Sequence, residues 1–243
     1  MTKLSVNVNK VATLRNARGG DNPGVVRLAK IALDAGAHGI TVHPRPDQRH
    51  IRSGDVGDLA EMLKQYPKAE FNIEGNPFHE YMAYAERYRP TQCTLVPDSP
   101  EASTSDHGWD LGRDFDRLKP VVEKLKALGC RVSIFMDPQP GGMNLAAKLG
   151  IDRVELYTAP YAENFAVGDR AAAESYAAAA RRAGELGLGV NAGHDLNLQN
   201  LRPFLQAVPN VLEVSIGHAL IADALEFGLF QTVRRYLAEL AIR

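Results

Sequence analysis

Eight short apolar runs, each followed by a stretch of helical periodicity, recur at a mean spacing of roughly 30 residues along this 243-residue chain. The runs are Leu4 to Val8, Ile40 to His43, Glu70 to Glu74, Cys93 to Val96, Arg131 to Met136, Val154 to Tyr157, Leu188 to Ala192 and Leu212 to Ile216. Strands separated by helices pair in parallel, because each helix carries the chain back to the starting edge. Eight such units with no linker or composition shift predict one domain over residues 1–243, of the α/β class, closed into a (β/α)8 TIM barrel with additional helices. The competing architecture is an open doubly wound sheet, whose GxGxxG signature is missing after the first strand.

The connecting segments carry their own punctuation. Asn22 and Pro23 read as N-cap and first-turn residue of a helix that Gly36 ends. Asp55 to Tyr66 places Val56, Leu59 and Leu63 at core spacing. Further helices are expected over His79–Tyr88, Phe115–Leu128 with Gly129 as its stop, a short stretch to Leu149, Arg170–Leu186 and Leu198–Ala207. Gly217 and His218 open the last barrel helix, and the amphipathic segment Phe230–Leu240 covers a subunit or core face. Residues 10–23, 98–116 and 159–169 read as loops, the second long and polar enough to suggest a functional or mobile one.

Composition limits the partners. A formal net charge of -1 and a pI of about 6.7 give no bulk attraction to nucleic acid or anionic membrane, so anion recognition must be local. No apolar run approaches the ~20 residues of a membrane span, and the first ten residues lack the core of a signal peptide, so a cytoplasmic protein is expected. Cys93 and Cys130 have no metal-like spacing and read as reduced, partly buried thiols.

In a barrel the C-terminal strand tips share one mouth, whatever their distance in sequence. In GITVHPRPDQRHI (39–51), Pro44 and Pro46 stop the ladder at His43, and Arg45, Arg49 and His50 follow. Taken alone, a strand-end histidine before a basic loop is as compatible with a solvated loop as with a site. The other tips add Asn7 with Arg15 and Arg18, Glu74, Thr104 on the long loop, Glu155, His194, and Ser215 with Gly217 and His218. Imidazoles, carboxylates and cations at one end make an acid–base centre beside anion clamps. Glu74 and Glu155 point toward the lumen or rim, where shielding from water would raise their proton affinity; the alternative is structural pairing with Arg or Lys. Glycines at Gly193 and Gly217 allow backbone approach in the loops after strands seven and eight, the usual phosphate cradle of this fold, although Gly217 also suits a plain tight turn. His43, His194, His218 and Glu74 could be imagined around a metal, but no HxH or HxxE spacing supports one, and none is expected. His38, His79 and His107 read as structural or solvated.

The segments VNVNKVATLRNARGG, GITVHPRPDQRHI, FNIEGNP, TLVPD, VELYTAPYA, VNAGHDLNLQN and SIGHALI, in this order, resemble the motifs of the pyridoxine 5'-phosphate synthase family. The resemblance implies a barrel assembled as a homo-octamer, with phosphorylated small-molecule substrates and neither metal nor organic cofactor. It implies condensation of 1-deoxy-D-xylulose 5-phosphate with 3-amino-2-oxopropyl phosphate to pyridoxine 5'-phosphate, phosphate and water in vitamin B6 biosynthesis. By the same resemblance His43 and Glu74 are proton acceptors, His194 is the proton donor and Glu155 assists the transition state. Arg45, His50 and Thr104 contact the sugar phosphate, while Asn7, Arg18, Gly217 and His218 contact the amino ketone phosphate. The loop from Pro97 to Asp110 would close over both and exclude water.

Asn9 and Lys10 stand where the family pattern has Asp and His, and Asp195 where it has Gly; all three positions are carried as substrate contacts. Lys10 still offers a cation to phosphate, whereas Asp195 would repel phosphate unless only its backbone N–H is used. Two other readings compete. A phosphosugar aldolase or isomerase would use the same cradle, but a Schiff-base aldolase needs a strand-end lysine that none of the eight strands supplies. A catalytically idle barrel that senses phosphate ligands would have no use for both bases and the donor.

Overall fold

The computed structural model describes residues 1–99, 105–169 and 171–241. Its strands are β1 (Lys3–Asn7), β2 (Gly39–Val42), β3 (Glu70–Gly75), β4 (Gln92–Leu95), β5 (Arg131–Met136), β6 (Arg153–Tyr157), β7 (Gly189–Gly193) and β8 (Val211–Ile216). They pair in parallel in sequence order, and β8 returns to β1, so the sheet is a closed barrel and the open doubly wound alternative is excluded. Around it run α1 (Asn9–Asn16), α2 (Val25–Asp34), α3 (Ser53–Leu63), α4 (Tyr81–Tyr88), α5 (Leu111–Ala127), α6 (Met143–Leu149), α7 (Ala159–Ala166), α8 (Glu174–Glu185), α9 (Leu201–Ala207), α10 (His218–Phe227) and α11 (Leu229–Ala241).

Period-two alternation along each strand sorts the side chains into two phases. The outward phase is apolar and fully buried beneath the helices, as with Leu4 and Val6, Ile40 and Val42, Cys93 and Leu95, Val132 and Ile134, or Val154 and Leu156. Burying such a side chain contributes about 1.5–3 kcal/mol, and this double layer is the main core. The inward phase is polar. Thr94 donates to Asn72 at 3.0 Å, Ser5 and Thr41 share a 2.7 Å bond, and Gln92 on β4 reaches Glu213 on β8 and Asn191 on β7. Contacts between such distant strands are possible only across the lumen. At the N-terminal end the lumen is closed by ion pairs linking Lys3, Glu70, Arg131, Glu213 and Arg153.

Four connecting segments differ from the sequence reading. Residues 10–16, expected as part of a loop over 10–23, lie in α1, which buries Val11, Ala12 and Arg15. Residues 159–166, also expected as loop, form α7, with Pro160 in its first turn where the missing N–H costs nothing. Helix α2 is capped by Gly24 instead of Asn22, and the Asn22–Pro23 bond is cis. Helix α5 begins at Leu111, four residues before Phe115, because the Asp110 carboxylate caps it by accepting from the Gly112 N–H at 3.0 Å.

Candidate active site

Two residues beyond each polar lumen position, the same inward phase arrives at the C-terminal mouth. Thr41 leads to His43, Asn72 to Glu74, Ser5 to Asn7, Arg153 to Glu155, Asn191 to Gly193 and Glu213 to Ser215 and Gly217. All of these mouth residues but Gly193 border a cavity of about 450 Å³ together with Asn9, Lys10, Arg45, Arg49, His50, His194, Asp195 and His218. Of the positions expected in the site, these are brought together. Arg18 is exposed beyond α1 and is not part of the lining; Thr104 lies outside the described residues. Arg15, read as a tip cation, faces away and forms a bidentate pair with Asp55 at 2.5 and 2.8 Å. The structure adds Thr13, Val96, Ser105 and Phe135 to the wall. Val96 and Phe135 stand in the inward phase after Thr94 and Ser133, a register that could have found them; Thr13 was hidden with the unrecognised helix α1.

Burial and charge set opposite proton affinities on the two kinds of base. His43 is 7% exposed, and burial, reinforced by Arg45 and Arg49, pushes its imidazole down to about 3. His50, whose ring centroid lies 6.1 Å away, is likewise lowered to about 3 by burial and by His43, Arg45 and Lys10. Both are therefore neutral at neutral pH, and a neutral imidazole can accept a proton.

Glu74 is raised well above the ordinary carboxyl range by burial and then by Glu155 and Asp98. Among the described residues its oxygens receive two long contacts, from the Asn7 and Asn72 amides at 3.4 Å each. Burial and Glu213 push Glu155 up to about 8, and one of its oxygens is buried with no hydrogen-bond partner among the described residues. Gly193 makes room for this carboxyl: a Cβ there would lie 2.7 Å from Glu155 Oε1 and 2.9 Å from the Ser215 carbonyl oxygen.

Cations share the mouth with these acids. Arg45 is pinned in place by Asp98 at 2.8 Å and donates to the Ser99 carbonyl at 2.9 Å. Ser105 donates to the same Asp98 carboxylate, so the chain after β4 is tied to the loop after β2. The same lining includes Lys10 and the N-terminus of α10, where Gly217 is the cap and His218 the first helical residue. A helix N-terminus favours an anion through its unpaired N–H groups and dipole. Asn9 does not face the cavity with its amide alone: its side-chain oxygen accepts from the His43 N–H at 2.9 Å and so fixes the base's backbone. His194 sits at φ +87° with Nδ1 3.2 Å from Asp195 Oδ2, and that bond is the main reason the Asp195 carboxylate lies below its ordinary range. Among the described residues no group of three or more His, Cys, Asp or Glu side chains is arranged to hold a metal ion.

Residues 4–241 match the family described as pyridoxal phosphate biosynthesis protein PdxJ. The chain is 54% identical over 242 residues to a pyridoxine 5'-phosphate synthase of Porphyromonas gingivalis, covering all of both chains. It is also 54% identical over 244 residues to the enzyme of that name from Xylella fastidiosa, covering 97% of this chain and 94% of the other. Among solved structures, a 3-keto-L-gulonate-6-phosphate decarboxylase from Vibrio cholerae superposes with a TM-score of 0.66 at 10% identity, covering 99% of this chain and 97% of that one. At that identity the likeness concerns the barrel alone.

Proposed function

From a chain that belongs to the pyridoxal phosphate biosynthesis family and forms pyridoxine 5'-phosphate, we propose that it condenses 1-deoxy-D-xylulose 5-phosphate with 3-amino-2-oxopropyl phosphate at the barrel mouth. The observation that carries this reading is a centre of buried imidazole and carboxyl groups, His43, Glu74 and Glu155, in one cavity with the cations Lys10, Arg45 and Arg49. Two phosphates, one held by Arg45, His50 and the loop bearing Thr104, the other by Lys10 and the α10 N-terminus with Gly217 and His218, would bring the amine and the ketone into contact between them. Held that way, the pair reacts as if intramolecular, an advantage that reaches about 7–11 kcal/mol in well-oriented systems.

The remaining steps move protons. The attacking nitrogen becomes cationic, and a cation beside Glu74 lowers its proton affinity and makes it a base. His43, neutral in the empty site, takes a proton as the enol or enamine forms, and His194 returns one to the departing oxygen. Glu155, uncharged at neutral pH, stabilises developing charge without repelling the phosphates. This chemistry is served by general acids and bases, each contributing about 10²–10⁴-fold. We place the chain in the cytoplasm as a homo-octamer; the exposed apolar side chains Leu14, Leu225 and Phe230 on α1, α10 and α11 support contact between copies.

Mixing the purified protein with both phosphorylated substrates tests the reading. Pyridinol absorbance and inorganic phosphate should rise together, and His43→Ala, Glu74→Gln and His194→Ala should each lower turnover by about 10²–10⁴-fold with the fold intact. A well-folded protein that yields no product would return the site to the phosphosugar aldolases and isomerases.

A further inference from the structure

Thr158 closes β6 and is the N-cap residue of α7, yet its side chain makes no capping bond to that helix. A threonine in this place ordinarily accepts from its own helix, at a value of about 1 kcal/mol. Here the hydroxyl, in a side chain with no exposure at all, points across to the neighbouring strand tip. Its Oγ1 lies 2.6 Å from the Gly193 carbonyl oxygen and 2.6 Å from that of His194, and its backbone N–H also donates to Gly193 at 3.1 Å. One hydroxyl proton is thus shared between two carbonyls, one of which belongs to the proposed proton donor itself.

That donor stands on an unusual backbone. His194 has φ +87° and Asp195 φ +60°, two successive side-chain-bearing residues in the left-handed region. Such residues cost roughly 1–2 kcal/mol each and persist only where their surroundings hold them. The far end of the turn is held by the Asn200 and Asn197 amides, which donate to the Asp195 carbonyl at 3.1 and 3.4 Å. The near end is held by Thr158. The Tyr157 ring packs edge-on against the His194 imidazole with centroids 5.3 Å apart, and Tyr176 donates to the Tyr157 carbonyl at 2.9 Å, so the residue before Thr158 is fixed as well.

We propose that Thr158 is a positioning residue for His194: its hydroxyl locks the left-handed turn that aims the imidazole into the pocket, at the expense of capping its own helix. The proposal rests on the reading of His194 as proton donor. Without the hydroxyl, the His194 carbonyl loses this donor, the Gly193 carbonyl keeps only the Thr158 backbone N–H, and the turn relaxes toward negative φ, carrying the imidazole out of line; misplacement by about 1 Å costs on the order of 10²-fold in rate.

Thr158→Val keeps the shape and β-branching and removes only the hydrogen bond; Thr158→Ser keeps the hydroxyl. The valine variant should lose about 10- to 100-fold in kcat with KM for both substrates within about threefold, and the serine variant should recover to within about threefold of the parent. In a His194→Ala background, Thr158→Val should change the rate less than about twofold, because the residue it positions is gone. Should the valine variant not fold, Thr158→Ala carries the same comparison. A valine variant with parental turnover overturns the proposal, and so does an equal loss in both backgrounds or a serine variant as poor as valine. Parental turnover of His194→Ala alone would instead strike the reading of the donor.

Discussion

Glu155→Gln should flatten the loss of stability on the alkaline side. The side chain is 4% exposed, one oxygen has no partner among the described residues, and the carboxyl is raised from 4.5 to about 8. Between those two values the folded chain keeps a proton that the unfolded chain has already lost, so stability is full below 4.5, falls as pH rises and levels off above about 8. Each pH unit in that window is worth roughly 1.4 kcal/mol, which puts the loss between about pH 5 and pH 8 at about 3 kcal/mol. Glutamine of the same shape does not titrate, so that slope disappears. Its amide N–H₂ gains no obvious acceptor and costs about 1–3 kcal/mol, but equally at every pH, so it cancels from the comparison. Glu155 is also the second cause of the rise in Glu74, so removing it relaxes that neighbour and flattens the slope further. Urea unfolding at four pH values between about 5 and 8, with parent and variant side by side, reads the difference directly. Parallel curves would refute the reasoning, because they would mean that Glu155 is ionised in the folded protein at neutral pH.

The acid side should behave in the opposite sense. His43 and His50 are held to about 3 against an ordinary 6.5, so the stability they confer is present above 6.5 and is lost as pH falls toward 3; His50→Gln should spare about 2 kcal/mol of the loss between about pH 7 and pH 5 in the same urea titration. Asp55→Ala leaves the Arg15 guanidinium, 4% exposed, without its bidentate partner, and should cost about 3–5 kcal/mol, read as a lower urea midpoint at unchanged slope. Gly193→Ala would press a methyl group to 2.7 Å from Glu155 and 2.9 Å from the Ser215 carbonyl oxygen; turnover should fall at least 10-fold, and kinetics at saturating substrate would expose an error if it did not.

The strands were legible because their outward phase is β-branched and apolar, and eight of them at an even spacing are enough to specify closure. What the sequence concealed is the inward phase. Ser5, Thr41, Asn72, Thr94 and Asn191 alternate with hydrophobic residues just as solvent-facing positions do, and only the closed sheet turns them into a buried network. Helix α7 was hidden by a proline that serves as its first turn, and α1 by a polar face that rests on the buried Arg15 pair. The strand tips located most of the pocket, since residues beyond a parallel strand must emerge at one mouth. They could not say that Arg15 spends its charge on Asp55, nor that Thr158 reaches past its own helix to the carbonyl of His194.

How a chain with net charge -1 would hold the two phosphates of the proposed reaction at one mouth follows from where its protons sit. Lys10, Arg45 and Arg49 line the mouth, while burial raises the proton affinity of the Glu74 and Glu155 carboxyls and lowers that of the His43 imidazole. An arriving phosphate would therefore meet three cations beside acids whose raised proton affinity weakens their repulsion, while the Asp195 carboxylate, held below its ordinary range, opposes it. In the proposed reaction the substrates then supply what the empty site lacks. A phosphate beside His43 and His50 raises their affinity for a proton, and a cationic nitrogen beside Glu74 lowers that carboxyl's affinity. Each group is thereby drawn toward neutrality from opposite sides when both substrates are bound, and the proton exchange needed for ring closure becomes nearly balanced only in the ternary complex.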